Sequence, residues 1–245
     1  MKNSNFKSIF LAIILVLGIF SCSNDDDSND DLNNQITEEE ASEIIETSLK
    51  SDTGGLTETT KSYSDDLEND ITLNDLCNTL YNDTFSFSYS NNFVDAGYTV
   101  NWEYELTCNA LNVPQSAVFS STSSGTYNTQ RISSNDTSMS SFNITGLQPS
   151  ANAYTFNGQY KREGSQVFTT INQTRTFTST LTVDISNITV DKVDYEIISG
   201  SGNATLNITM NNGNTFLFEG ALTFNGNGTA TLSLNGNTYT LTLNN

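Results

Sequence analysis

The pattern of hydrophobic and polar positions changes twice along this chain. An apolar run covers residues 9–20, apolar residues then recur at helical spacing as far as residue 81, and from residue 84 apolar and polar residues alternate. A spacing of three to four residues is typical of amphipathic helices, whereas a period of two is typical of strands with one buried face. The pattern therefore predicts a short helical region followed by a β domain.

The helical region opens with a capping box. Thr37 precedes three glutamates, and Glu40 stands three residues after it, so each side chain can accept the other residue's backbone N–H. The pair Gly54 and Gly55 interrupts the helical pattern. Apolar residues at helical spacing predict three helices, over residues 38–50, 56–67 and 72–81. We expect residues 37–83 to pack on the sheet as a cap.

The longest alternating run predicts a central strand. From Tyr98 to Cys108 every second residue is apolar, which places Trp102 and Cys108 on the buried face. Glu103 and Glu105 fall on the opposite face of the same strand. Further alternating runs lie at residues 142–144, 154–156, 177–185 and 193–197, separated by Asn, Gly and Ser. Short strands separated by such residues favour an antiparallel all-β domain.

The last four strands can be given a register from their turns. Asn235-Gly236 predicts a two-residue type I′ hairpin, Gly213 a left-handed position in a three-residue loop, and residues 225–227 another three-residue loop. The predicted pairs are Leu234 with Asn237, Leu232 with Tyr239, Ala230 with Leu241, Ile208 with Phe216, Leu206 with Phe218, Leu222 with Ala230, and Phe218 with Leu234. All share one apolar face.

The predicted fold is mainly β. Residues 84–245 form an antiparallel β meander that closes as a sandwich or a barrel, because both the sheet edges and one apolar face need covering. The acidic α-helical region precedes it. The pattern does not decide between a sandwich and a barrel.

The charge is strongly acidic and unevenly distributed. The chain has 9 Lys and Arg against 28 Asp and Glu, a net charge of -19. Seventeen of the acidic residues lie between Cys22 and Leu76, so the acidity belongs mostly to the segment before the β domain. Binding to nucleic acid needs a basic patch, and adsorption to anionic lipid needs the same. We therefore expect neither.

The first residues have the features of an export signal. Lys2 and Lys7 precede the apolar run of residues 9–20, and Cys22 closes it. About a dozen apolar residues after a basic start are typical of a secretory signal rather than a membrane span. Asp25, Asp26 and Asp27 follow, and a continuing transmembrane helix would not tolerate them.

Residues 17–22 resemble the signal of a bacterial lipoprotein of the Bacteroidota type, with Phe20 where a small residue is common. The resemblance implies removal of residues 1–21 and acylation of Cys22, so that the lipid bilayer holds the protein. The residues after the cysteine resemble the acidic signal for export to the outer face of the outer membrane, with one residue inserted; they are Ser23, Asn24, Asp25, Asp26 and Asp27. Residues 22–36 would be a disordered tether. Alternatively, Cys22 is an ordinary cysteine and the acidic run only a solvated spacer.

The other two cysteines form an even pair. In an oxidising compartment Cys77 and Cys108 would form a disulfide bond, and two buried reduced cysteines are the alternative. Without histidine in the chain they have no partner for a zinc site, and we expect neither a metal nor a cofactor.

Catalytic residues are scarce. The absence of histidine excludes Ser-His-Asp and Cys-His nucleophile systems. Glu103 and Glu105 could be a carboxylate pair, but a solvated outer face explains them better. The turn residues Asp191, Asp194 and Glu196 could bind calcium, but a solvated turn is the simpler interpretation. Stacking on sugars would need exposed aromatic residues. The candidates are Tyr63, Tyr127 and Tyr160, and the sequence does not say whether they are exposed.

The sequence therefore predicts a non-enzymatic surface lipoprotein, lipid-anchored in the outer membrane and facing the cell exterior. It would be a binding or structural module whose partner is a glycan or an envelope protein. One alternative is a carboxylate-dependent glycoside hydrolase. Another is a lipocalin-like barrel that holds a small apolar ligand.

Overall fold

The computed structural model describes residues 35–71 and 77–244. Among these residues two helices come first, α1 (Glu38–Leu49) and α2 (Leu56–Ile71). The ten strands that follow are β1 (Leu80–Ser90), β2 (Asp95–Cys108), β3 (Pro114–Asn128), β4 (Ile132–Thr145), β5 (Ala153–Thr169), β6 (Thr174–Asp191), β7 (Ile197–Met210), β8 (Thr215–Gly226), β9 (Thr229–Leu234) and β10 (Asn237–Thr242).

All ten strands form one antiparallel sheet in sequence order, which confirms the predicted mainly-β meander. The sheet is not closed into a barrel, so the predicted closure as a barrel is wrong. All ten strands of the described residues belong to this one sheet, so they do not divide into the two sheets of a sandwich. The apolar face of the sheet is nevertheless covered, as the prediction required. Ile44, Ile45 and Leu49 of α1 and Leu56 and Leu67 of α2 are fully buried in the same core as the inward side chains of the strands.

The first helix begins where the capping box predicts. The backbone N–H of Thr37 donates to Glu40 Oε2 at 3.0 Å, and that of Glu40 donates to Thr37 Oγ1 at 3.3 Å. Lys50 has an extended backbone and ends the helix, and Gly54 has a φ of 65° in the following turn. The second predicted helix is also present, although α2 continues beyond residue 67 to Ile71.

The third predicted helix, over residues 72–81, is wrong where the structure describes it. Leu80 and Tyr81 lie in β1, paired with Glu105 and Tyr104 of β2; residues 72–76 lie outside the described residues. A ten-residue helix is marginal on its own, and pairing with β2 offers the same residues a full ladder of backbone hydrogen bonds.

Two of the three predicted registers are confirmed. The β9–β10 hairpin pairs Leu232 with Tyr239, and β7–β8 pairs Ile208 with Phe216, as the turns predict. The β8–β9 register is wrong by two residues, since Leu222 pairs with Leu232 and Phe224 with Ala230.

The reason lies in the β8–β9 turn. Asn227 and Gly228 both have positive φ values, 51° and 65°, and form a two-residue turn. An irregularity between Phe224 and Gly226 takes up the additional residue. An even shift keeps every side chain on its predicted face, so the core is unaffected.

Stacked aromatic side chains join α2 to the sheet. The Tyr63 ring lies 4.3 Å from the Phe119 ring, and Phe119 stacks in turn on Tyr104 at 4.5 Å. Trp102 belongs to the same stack and is buried, as its place in the alternating run predicts. The Tyr63 hydroxyl also shares a hydrogen bond of 2.8 Å with Ser140 Oγ.

A disulfide bond joins Cys77 to Cys108 at the end of β2, with the sulfur atoms 2.00 Å apart. Cys77 also forms an isolated parallel bridge with Leu106. The predicted pairing of the two cysteines is thus present, and it holds the chain against β2 just before β1 begins.

Candidate functional site

A cleft of about 540 Å³ lies between α1 and the loops that connect β1 to β2 and β3 to β4. We call it the α1 cleft. Most of its lining side chains are charged or carry an amide or a hydroxyl; the lining residues are Glu43, Glu46, Thr47, Lys50, Asp52, Asn91, Phe93, Val94, Thr129, Gln130 and Arg131. Its volume is that of a site for a small ligand.

Two ion pairs lie along the cleft. Arg131 Nη1 is 2.7 Å from Glu43 Oε2, and Lys50 Nζ is 3.2 Å from Glu46 Oε1, one helical turn away on α1. Partial burial raises the pKa of the Glu43 carboxyl above its ordinary value, and Arg131 opposes that change. The cleft therefore offers both charged donors and charged acceptors, already held in place by each other.

The aromatic ring of Phe93 stands at the rim of the cleft, with 62% of the residue exposed. Its loop is held by Asn91, whose Oδ1 accepts the backbone N–H groups of Phe93 at 2.7 Å and Val94 at 2.8 Å. An exposed ring beside amide, hydroxyl and carboxylate groups can pack on the apolar face of a sugar while the polar groups bond its hydroxyls.

Arginines of the sheet hold the α1 wall of the cleft. Arg175 on β6 donates to the Glu40 carboxylate and to the carbonyl of Gln35. The guanidinium carbons of Arg131 and Arg175 lie 4.8 and 5.5 Å from the centroid of the Phe168 ring. Glu40 and Glu43 of α1 are thus bound by Arg175 and Arg131 and dock the helix on the rest of the fold.

The far end of the sheet also contacts α1. The Glu38 carboxylate accepts from the side-chain amides of Asn235 at 2.8 Å and Asn237 at 2.7 Å, and from the Tyr239 hydroxyl at 3.1 Å. These hydrogen bonds, led by that of Asn235, lower the pKa of Glu38. The β9–β10 hairpin and the start of α1 are therefore linked through one carboxylate.

A buried ion pair lies under the connection between α1 and α2. Arg162 of β5 and Asp136 of β4 face inward, with Nε and Oδ1 3.1 Å apart. Arg162 Nη2 donates to the carbonyl of Thr53 at 2.9 Å and to the hydroxyl of Tyr98. The Tyr127 ring centroid is 4.8 Å from the guanidinium. Arg162 therefore positions the α1–α2 connection on the sheet.

The sequence analysis missed this pair, although a signal was present. Asp136 has the same parity as Ile132, Phe142 and Ile144, and so belongs to the inward face of β4. Arg162 is in phase with Tyr160 and Phe168 on β5. A charged residue in phase with the core of each of two neighbouring strands predicts a buried pair.

The carboxylates considered from the sequence lie elsewhere. Glu103 and Glu105 are exposed on the outer face of β2, as expected, and Glu103 borders a polar hollow of about 340 Å³ across β1, β2 and β3. Asp191 Oδ1 accepts the backbone N–H of Val193, and Asp194 Oδ1 that of Glu196, so these acids cap the β6–β7 turn. Within the described ranges, no group of three or more potential ligands could hold a metal ion.

The described interior is filled by side chains. Tyr63, Tyr127 and Tyr160, which were the candidates for exposed aromatics, are all buried. A cavity beside Tyr63, Phe85 and Tyr98 has a volume of only about 20 Å³, enough for about one water molecule. The closed barrel of the lipocalin-like alternative is not formed, and this cavity would not admit its ligand.

The predicted lipidation residue Cys22 and the predicted export signal of residues 23–27 lie outside the described residues. Neither α1 nor α2 combines the length and hydrophobicity that a membrane-crossing helix needs.

Comparison of the chain with protein-family models, with curated proteins and with solved structures finds no match in any of the three.

Proposed function

We propose that this protein is a non-enzymatic binding module, anchored by lipid to the outer membrane and facing the cell exterior, and that its ligand is a glycan held in the α1 cleft. The proposal has two separate supports. The anchor rests on the sequence around Cys22, and the ligand class rests on the composition of the cleft.

The observation that carries the ligand class is the exposed Phe93 ring at the rim of a polar cleft. Sugars present both an apolar ring face and a circle of hydroxyl groups, so a site needs one aromatic face and several planar polar groups. Gln130, Thr129 and the two ion pairs supply the polar groups. The outer hollow near Glu103 has polar side chains but no exposed aromatic ring, and is the weaker candidate.

The test is a panel of soluble oligosaccharides, neutral and charged, assayed for binding to the purified protein by isothermal titration calorimetry. The cleft variant replaces Phe93 and Gln130 with Ala. The matched control replaces Ile171, an exposed apolar residue on the β5–β6 loop outside the cleft lining, with Ala.

We expect at least one oligosaccharide to bind, the cleft variant to lose about tenfold or more in affinity, and the control to bind like wild type. Loss of one aromatic contact and one hydrogen bond, about 1.4 kcal/mol or more together, corresponds to that factor. Absence of binding across the panel, or equal binding by the cleft variant, would reject the cleft as a glycan site.

A glycoside hydrolase is the second candidate, favoured by one observation: Glu43 and Glu46 line the same cleft, and burial raises the pKa of Glu43. A general acid needs such a raised pKa. The same panel incubated with the protein and analysed for reducing ends distinguishes the two functions. Cleavage by the wild-type protein that disappears in Glu43→Gln would establish catalysis. If the oligosaccharides stay intact, the hydrolase is rejected and the binding function remains.

A further inference from the structure

The first strand has an edge that is largely unprotected among the described residues. All eleven residues of β1 pair with β2 in an unbroken register, and on its other side β1 has no partner strand among the described residues. The strand contains no Lys, Arg, Pro or Gly. Its one charge is Asp83, which is in phase with the inward aromatic residues, and its Oδ1 accepts the backbone N–H of Thr84 at 2.7 Å, so the start of the edge is protected. Residues 85–90 carry no charge. Long, flat edge strands with exposed backbone groups readily pair with another strand, and proteins usually prevent this with lysine, proline or a bulge.

The opposite edge of the same sheet is protected. β10 has only six residues, against eleven in β1. Glu38 accepts hydrogen bonds from Asn237 and Tyr239 of β10, and the backbone N–H of Ser51 donates to the carbonyl of Leu243 at 3.0 Å. The α-helical cap therefore contacts and protects the β10 edge, whereas no such contact protects most of the β1 edge among the described residues.

The inward side chains of β1 are incompletely covered as well. Four of them are aromatic, Tyr81, Phe85, Phe87 and Tyr89, and each is only partly buried, whereas the inward aromatic residues of β3 to β6 are fully buried. The fifth is Asp83, which is exposed. A strand added beside β1 would place its own side chains against the rings of Phe85, Phe87 and Tyr89 and pair the backbone groups of that part of the edge in the same step.

We propose that β1 pairs with β1 of a second copy of this chain, antiparallel and about a two-fold axis, so that two sheets join into one of twenty strands. The added strand has to alternate aromatic inward with small polar outward residues. The second β1 has this pattern from Thr84 to Ser90, and its outward residues are Asn82, Thr84, Ser86 and Ser88; Asp83 is the one inward position without an aromatic ring. A two-fold interface of this kind uses the same patch on both copies.

Charge selects the antiparallel arrangement. Side by side in a parallel pair, two Asp83 carboxylates would be about 5 Å apart. In an antiparallel pair centred on Ser86 they are six residues apart along the strands, about 20 Å, which exceeds the screening length of about 8 Å at physiological salt. Glu103 and Glu105 lie at the same end of β2 as Asp83 and are separated in the same way.

Site-specific crosslinking on intact cells tests the pairing in the full chain. Single cysteines replace Asn82, Thr84, Ser86 and Ser88 in turn, and the matched control is Thr240→Cys, an exposed outward position on β10. We expect disulfide-linked dimers on non-reducing gels at the one or two β1 positions nearest the two-fold axis, with less at the others and none at residue 240. Equal crosslinking everywhere, or none on β1, would overturn the proposal.

Sedimentation of the purified full-length chain carrying Cys22→Ala, which cannot be acylated, gives a second readout. We expect the unmodified β1 to give a dimer. When Ser86 and Ser88 are both replaced by Lys, the dissociation constant of the dimer should rise at least tenfold, so that more of the protein sediments as monomer. Replacement of Thr238 and Thr240 by Lys on β10 is the control and leaves the dimer intact. A monomeric unmodified chain, or a dimer that the β1 lysines do not weaken while circular dichroism stays native, would refute the pairing.

Discussion

Asp136 and Arg162 form an ion pair beneath the helical cap, with their side chains only 1% and 3% exposed. Removing one member of such a pair leaves a buried charge without its partner, which costs about 3–5 kcal/mol. We therefore expect Asp136→Asn to lower the free energy of unfolding in urea by about that amount. Asp184→Asn, the same change on the exposed face of β6, should stay within about 0.5 kcal/mol of wild type. If both variants lost the same free energy of unfolding, the buried ion pair would contribute no more to stability than an exposed carboxylate.

Alkaline pH should destabilise the protein through its buried tyrosines. Burial raises the pKa of Tyr63 to about 12, and it also raises those of Tyr98, Tyr127, Tyr154 and Tyr160. The unfolded chain ionises near pH 10, so the stabilisation is complete below pH about 10 and is lost as the pH rises through about 12. Tyrosinate absorbance and the unfolding signal from circular dichroism should rise together. Ionisation of all tyrosines near pH 10 in a folded chain would contradict this.

The disulfide should contribute substantially to stability. Cys77 and Cys108 are 31 residues apart, and closing a loop of that length restricts the unfolded chain by about 4 kcal/mol in the chain-entropy model. Replacement of both cysteines with Ala should lower the urea midpoint accordingly, and a reducing agent should lower that of wild type but not of the variant. Peptide mapping before and after reduction checks the pairing directly.

The anchor and its direction can be tested on intact cells by protease digestion. We expect protease to remove wild-type protein from the surface and Cys22→Ala to be released from the membrane. With Asp25, Asp26 and Asp27 all changed to Ala, the protein should remain membrane-bound but protected. Protection of the wild-type protein would mean that the acidic run is only a spacer and that the protein faces the periplasm.

Local patterns predicted the parts of the fold that depend on neighbouring residues. Thr37 and Glu40 form the predicted capping box, and Asn235-Gly236 forms the predicted hairpin. In both cases the determining contacts lie within a few residues of each other in the chain. Parity along a strand also predicted correctly that Trp102 faces inward and Glu103 outward.

Two features that depend on distant partners did not follow from the local patterns. Leu80 and Tyr81 have helical spacing but pair with β2, since a long strand partner stabilises them more than a short isolated helix would. The α1 cleft could not be predicted, because Glu43, Phe93 and Arg131 are brought together by three separate connections of the fold.

The sequence by itself determined the mainly-β meander, the faces of its strands and the start of α1, because alternation, caps and turns depend on residues close together in the chain. It left Cys77 and Cys108 either bonded or reduced, and the structure has them bonded. Only the tertiary structure decided how the apolar face is covered, since helices and a second sheet bury the same surface equally well. It also decided that Glu38 and Ser51 protect β10, while β1 has no second partner strand among the described residues, because that depends on where the helices pack on the sheet.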